Sequence, residues 1–230
     1  MLELSICCIV KESLFVLPLI ITCLVGDKLV FTWLNGYSAI YRAIGVSLTH
    51  GFIGLFSWLI IEKSLLHGII CMALAMSVDA DRFIEVGSLD LDKALNLDHR
   101  PFLHNSTIPV IFYLISIIIS YLWKNYHFRL FTSLIFMAFI THHLRDASRR
   151  GLWFYPWIHS LPLPYPTYII VTILLSFIVK FYVSQTSKSY DVISVWKIHI
   201  YLDLLWPKWP LSCILWFPTL AKAAPQNLQM

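Results

Sequence analysis

Six long apolar stretches alternate with polar breaks along the chain, at about 13–34, 43–61, 65–80, 108–123, 128–144 and 166–183. An apolar run of roughly 20 residues is long enough to cross a bilayer as a helix. The stretches of about 16 residues sit at the short end of that range, as expected where helices bury one another around an internal site. The third ends in acidic residues, so a re-entrant or partly buried helix is its alternative. The longest polar connection, "DADRFIEVGSLDLDKALNLDHRPFLHNST", follows it, and "SLDLDKALNLDHR" within that connection predicts a short interfacial helix. Beyond 184 the pattern decays into "SQTSKSYD" and then "WPKWPLSCILWFPTLAKAAPQNLQM", too rich in proline for an ordinary span. The expected organisation is a helical transmembrane domain over 1–184 and a Pro/Trp-rich tail over 185–230, held at the interface by its tryptophans. The expected fold class is all-α: a polytopic membrane bundle of five to six spans with an interfacial polar site. There is no internal repeat of the kind that inverted-topology transporters carry.

Composition strengthens the membrane assignment. The chain is 58% hydrophobic and only 13% charged, whereas soluble domains carry about a quarter charged residues. Nine tryptophans suit a protein with two lipid–water boundaries. Few glycines and no sustained alternation argue against an outer-membrane barrel. Glu3 and Glu12 interrupt any basic leader and no small-x-small cleavage site follows, so an uncleaved first span is expected. The net charge of +4 is spread around the spans with no like-charge run, which speaks of topology and not of nucleic acid. Basic residues are slightly in excess on the side of the third-to-fourth connection, Arg42, Arg82, Lys93, Arg100, Arg145, Arg149 and Arg150 against Lys11, Lys63, Lys124, Arg129 and Lys188, which leans that side towards the cytoplasm. Cys7, Cys8, Cys23, Cys71 and Cys213 form no C-x-x-C pair, so neither a disulfide frame nor a thiolate zinc site is implied.

Six crossings would put the connections after spans one, three and five on one side of the membrane. That side then collects the chemically capable residues. His50 is an ionisable group inside the second apolar stretch, where Gly45, Gly51 and Gly54 permit close helix approach. Asp79 and Asp81, at i and i+2, cannot share one face of a regular helix. They can converge where a helix unwinds, with Arg82 or a divalent cation between them. "HRPFLH" supplies His99, Arg100 and His104, two imidazoles and a guanidinium suited to an anionic group. His142 and Asp146 are four apart and share a helical face, with Arg149 or Arg150 as alternative partners for the aspartate. Each group has a structural explanation alone. Together, unpaired carboxylates at a membrane edge cost several kcal/mol unless compensated, and one divalent metal compensates them all. Zinc fits histidine with carboxylate; manganese or magnesium fits more carboxylates.

The order of an intramembrane His50, then Asp79-x-Asp81, then His99-Arg100 and His104, then His142 and Asp146 with Gly151 and Pro156 following resembles the bacterial YdjM-like inner-membrane proteins, described as metal-dependent hydrolases. More closely, "RPFLHNST", "HHLRD" and "GLWFYPW" followed by "PLP" resemble the animal transmembrane protein 267 family, over about residues 14–184. The bacterial pattern has proline before the first aspartate, histidine after the second and glycine after H-R, where this chain has Val78, Arg82 and Pro101. The resemblance implies a membrane-bound hydrolase with His50, Asp79, Asp81, His104, His142 and Asp146 as metal ligands. Asp79, Asp81 and Arg100 would then act on a lipid or other ester, with a spare carboxylate as general base. The alternative is a non-catalytic multi-pass protein whose polar cluster is structural. A channel or transporter ranks third, because the polar groups gather at one end and mark no through-path. Asn105-Ser106-Thr107 fits a glycosylation sequon, but its position beside His104 favours hydrogen bonding by Asn105.

Overall fold

In a computed structural model, residues 2–156 and 158–185 are described, with side chains over 14–34, 36–156 and 158–185. Trp157 and the tail from 186 onward, to which the sequence assigned an interfacial role, lie outside the described residues. Helices α1 (Leu2–Lys28), α2 (Ala39–Ile61), α3 (Leu65–Ser77), α6 (Thr107–Trp123), α7 (Tyr126–Arg150) and α8 (Tyr165–Ser184) form a bundle. Between α3 and α6 lie the short helices α4 (Asp81–Val86) and α5 (Leu91–Leu95), the latter inside the stretch where an interfacial helix was expected. After α7 a two-residue hairpin pairs β1 (Trp153–Phe154) with β2 (Ile158–His159).

The faces of these helices run opposite to a soluble protein. On α8, Ile170, Leu174, Ile178 and Phe181 are exposed, whereas Thr172 and Ser176 are buried. On α6, Ile111, Leu114, Ile115 and Ile118 face outward and Ser116 and Ser120 face inward. Small hydroxyl residues let helices approach closely and bond the backbone one turn back, and the apolar exterior suits lipid. Thr172 and Ser176 do so through the carbonyls of Tyr168 and Thr172. Three helices are long and apolar enough to cross a membrane, Leu14–Trp33, Ala39–Ile61 and Tyr165–Ser184, and Thr107–Trp123 is a shorter apolar one. Part of the expected set of five to six spans is thus visible by length and composition alone.

Helix α7 is the centre. It packs against α2, α3, α6 and α8, with Leu134, Met137 and Ala138 in a core shared with Trp58, Cys71 and Val179. Its start is capped by the Asn125 side chain, which accepts from the Phe128 amide. Its end is set by Gly151 at φ +71°, where a Cβ would collide with the Ser160 carbonyl. A second core joins Leu19, Cys23, Ile53 and Tyr168 of α1, α2 and α8. Helices α2 and α3 approach closely because Gly54 would place a Cβ only 3.1 Å from the Ala75 Cβ, in line with the glycine pattern of α2.

Polar contacts tie the helices together near both ends of α7. Near one end, Asp27 of α1 meets Arg145 of α7, and Tyr165 of α8 donates to the Cys23 carbonyl. Near the other, Arg129 of α7 bonds Ser120 of α6 and the Tyr182 carbonyl of α8. The site lies at the first of these ends.

Candidate metal centre

The residues that assemble here come from four places in the chain. His50 is buried in the middle of α2, and His142 and Asp146 sit one turn apart near the end of α7. Asp79 lies in the 3-10 turn Val78–Ala80 that ends α3, and His104 in the 3-10 turn Phe102–His104 before α6. The chain unwinds where D-x-D needed it to: the turn separates Asp79 from Asp81 at the start of α4, and the two carboxylates take different tasks.

Imidazole orientation follows from fixed partners. His142 Nδ1 lies 2.9 Å from the Ala75 carbonyl, which can only accept, so Nδ1 carries the proton and Nε2 presents a lone pair. His104 Nδ1 lies 3.1 Å from Asp81 Oδ2, which also accepts from the Leu103 amide at 2.8 Å. The ring is thereby held with Nε2 inward. A carboxylate behind a histidine in this way fixes the tautomer and raises ligand basicity at metal sites. His50 stacks on His142 with ring centroids 3.7 Å apart, and among the described residues neither of its nitrogens has a hydrogen-bond partner. Nor has His142 Nε2.

The inward atoms face two carboxylates. His104 Nε2 is 3.5 Å from Asp79 Oδ1 and 3.7 Å from Asp146 Oδ2. His142 Nε2 is 4.0 Å from Asp79 Oδ1 and 3.7 Å from Asp146 Oδ2, and His50 Nε2 is 3.5 Å from Asp146 Oδ1. Donor atoms at zinc-ligand distance around one tetrahedral centre are spaced about 3.4 Å, so these separations are near those of a small cation's ligands, within overlapping sets of three. Two sets satisfy this closeness, His50 with His142 and Asp146, and Asp79 with His104 and His142. They share His142. Lone pairs and carboxylates facing one another repel unless a proton or a cation lies between them. Arginines compensate part of the charge: Arg82 Nε bonds Asp79 at 3.2 Å, and Arg149 Nη2 bonds Asp146 at 2.8 Å. For His104, burial opposes the charged ring, but its contacts with Asp79 and Asp81 outweigh burial and push the imidazole up to about 9, so a metal at Nε2 has to displace a proton.

Of two further sequence candidates, His99 lies apart from the cluster, whereas Arg100 lines a small pocket with His104 and Asp146. His99 is exposed and pairs with Glu85 at 3.0 Å. Arg100 donates to the Gly151 carbonyl at 3.0 Å and to the Arg150 carbonyl, tying the connection to the end of α7. Asn105 is buried and its Oδ1 accepts from the amides of Thr107 and Tyr155, as its position beside His104 suggested.

Other residues escaped the sequence. Arg145 is 1% exposed, with Nε 2.8 Å from Asp27 Oδ1 and Nη1 donating to the Val46 carbonyl, while Tyr168 donates to Asp27 Oδ2. The available signal was Asp27, a solitary acid at the end of the first apolar stretch. Arg149 pairs with Asp146, as one of the two partners the sequence offered, and both Arg149 and Arg150 line a cavity of about 630 Å³ that also opens onto Asp79 and Asp146.

A helical bundle with an apolar exterior and a buried His/Asp cluster at one end defines an integral membrane protein with a polar site. Its relatives agree. The chain is 32% identical over 200 residues to mouse (Mus musculus) transmembrane protein 267, covering 84% of this chain and 93% of the relative. It is 34% identical over 204 residues to the bovine (Bos taurus) protein of that name, with the same coverage, and 36% identical over 137 residues to the Xenopus laevis one, covering 57% and 64%. The chain belongs to the transmembrane protein 267 family. No family model matches it, and no solved structure does.

Proposed function

We propose that this protein is a membrane-embedded, divalent-metal-dependent hydrolase that cleaves an ester at the lipid–water boundary. The observation that supports it is the convergence of histidine Nε2 atoms on Asp79 and Asp146, with the Nε2 atoms of His50 and His142 lacking hydrogen-bond partners among the described residues. His142 and Asp146 with His50 would hold the metal, and His104, oriented by Asp81, would stand beside it. Imidazole ligands favour zinc over magnesium or calcium. When bound, the metal lowers the pKa of a water towards neutrality and polarises the scissile group. Asp79, on the cavity side, takes a proton from the attacking water and returns it to the leaving oxygen. Overall, the water oxygen bonds to the phosphorus or acyl carbon, the ester bond breaks, and the two water protons end on the products. The order of these residues also resembles that of the YdjM-like proteins. Where that pattern has a histidine after the second aspartate, Arg82 instead bonds Asp79. The same reading takes all six long helices as crossings, with the site facing the side that carries α4, α5 and the hairpin.

A second reading has its own observation. Arg82 and Arg149 bond the same carboxylates, so the cluster can serve as a salt-bridged knot that only holds helix ends together. Metal analysis of the purified protein separates the two. The hydrolase reading expects about one equivalent of zinc or another divalent ion, lost on His142→Ala while the helical circular dichroism is kept, and ester hydrolysis lost with Asp79→Asn. Metal-free protein whose stability ignores both zinc and chelator supports the knot.

A further inference from the structure

The walls of the cavity beside the site come from two parts of the chain. One wall is formed by Phe31, in the π-helical turn that continues α1, with Ile40 and Ile44 of α2. All three are exposed, and they fall within Leu14–Trp33 and Ala39–Ile61, two segments long and apolar enough to cross a membrane. This side of the cavity therefore opens among lipid chains. The opposite wall is supplied by Phe83 of α4 and by Leu91, Ala94 and Leu95 of α5. On that short helix the apolar residues recur at i, i+3 and i+4 and line the cavity, whereas Asp92 and Lys93 are exposed. Helix α5 is thus a roof, apolar beneath and polar above. At about 630 Å³ the space falls inside the roughly 300–1,000 Å³ range of small-molecule sites.

Charged groups on the wall are already engaged. Arg82 bonds Asp79, and Arg149 bonds Asp146 while its guanidinium lies 4.7 Å from the centroid of the Phe31 ring. Arg42 has a partner as well, and Arg150 is exposed. An anionic headgroup would have to break these pairs and would then face the two aspartates, like charge against like charge. An uncharged ester disturbs none of them.

We infer that this cavity binds a long-chain acyl ester with an uncharged headgroup, a glyceride by chemical class. Its chain enters sideways from the bilayer between the Phe31–Ile44 wall and the α5 roof, and its ester reaches Asp79 and Asp146. The inference rests on the hydrolase reading, for which it names the substrate class. In that reaction the water oxygen bonds to the acyl carbon, the bond from that carbon to the alcohol oxygen breaks, and a fatty acid and an alcohol leave. Lateral entry spares the chain any passage through water.

The test uses the full-length protein in digitonin, which carries no alkyl chain to occupy the cavity, treated with chelator so that nothing is hydrolysed. Tritiated 1-monooleoylglycerol is bound to immobilised protein and read by scintillation proximity. The competitors are unlabelled monooleoylglycerol, oleoyl lysophosphatidic acid and glycerol. Monooleoylglycerol is expected to compete at concentrations at least about tenfold lower than the lysophosphatidic acid, and glycerol not at all. Leu95→Trp fills the space beneath the roof, and Ile40→Ser/Ile44→Ser removes apolar surface from the lipid-facing mouth. Each should raise the half-saturating concentration by about fivefold or more. The two serines stand at exposed positions, so the double variant gives a reading even where the tryptophan disturbs α5. Lysophosphatidic acid competing as well as monooleoylglycerol overturns the proposal, as does competition by glycerol or an unaltered affinity in the double variant. Because binding is read without metal, the two readings fail separately. Glyceride binding without a metal equivalent sinks hydrolysis alone, and a metal equivalent without glyceride binding sinks the substrate class alone.

Discussion

The proton on His142 Nδ1 is fixed by the Ala75 carbonyl and that on His104 Nδ1 by Asp81, so two of the imidazoles are aimed before any ligand arrives. This makes the two aspartates of D-x-D unequal. Asp79 faces the donor atoms and the cavity, whereas Asp81 stands behind His104 and is 5% exposed. Asp81→Asn keeps an oxygen that accepts from Nδ1 but removes the charge behind the ring. It is expected to weaken metal affinity by about 10–100-fold without unfolding the chain, measured by competition with a chromophoric chelator. His142→Ala removes the donor common to both sets and should abolish binding. On a six-span count the sequence led one to expect these residue types on one side of the bundle. It could not show which carboxylate faces inward, because that depends on 3-10 turns at Val78–Ala80 and Phe102–His104, set by tertiary contacts that no periodicity records.

Between helices, the site depends on how closely α2 lies against α3 and α7. The glycine spacing of α2 was legible in sequence, and its consequence is measurable. Gly54→Val forces α2 away from Ala75 and the Cys71 carbonyl and should cost about 1–3 kcal/mol by overpacking. Gly36→Ala, with nothing within 4 Å of the added Cβ, should change stability by no more than about 0.5 kcal/mol. Both are read by denaturant unfolding in detergent. The Asp27–Arg145–Tyr168 network was not legible as a network, because its members lie 118 and 141 residues apart in pairs. It joins α1, α7 and α8, and through Val46 also α2. Removing one partner strands a buried charge, so Arg145→Met should destabilise the protein by about 3–5 kcal/mol. Asp27→Asn combined with Arg145→Met should cost less than the two singles added, since the stranded charge is then gone.

At the scale of the whole molecule, the inverted pattern of exposure decides what the chain is, and the alternation of helix ends decides where its site can work. Hydropathy marks the helices whose outer face meets lipid, but it undervalues α7, whose buried face carries Thr132, Ser133, Thr141, His142 and Arg145. A helix wrapped on all sides by others need not be apolar to cross a membrane, so length and composition are not by themselves a test of whether α7 crosses. If all six long helices cross, Gly36, Leu89 and Tyr155 lie on one side and Lys63 and His127 on the other. In a chain whose native cysteines are replaced by alanine, single cysteines at these positions should react with a membrane-impermeant maleimide accordingly. In sealed vesicles, Gly36→Cys, Leu89→Cys and Tyr155→Cys should label from one face, and Lys63→Cys and His127→Cys only from the opposite one. Labelling of Lys63→Cys and Leu89→Cys from the same face would show that α3 re-enters without crossing. Asp79, Asp81 and His104 would then still share a side with His142 and Asp146, because α6 and α7 would both run inverted, but His50, which enters α2 from the Gly36 side, would be parted from them and the stacked His50–His142 pair could not form in the membrane. The labelling pattern therefore tests the topology and the convergence of the donor set together.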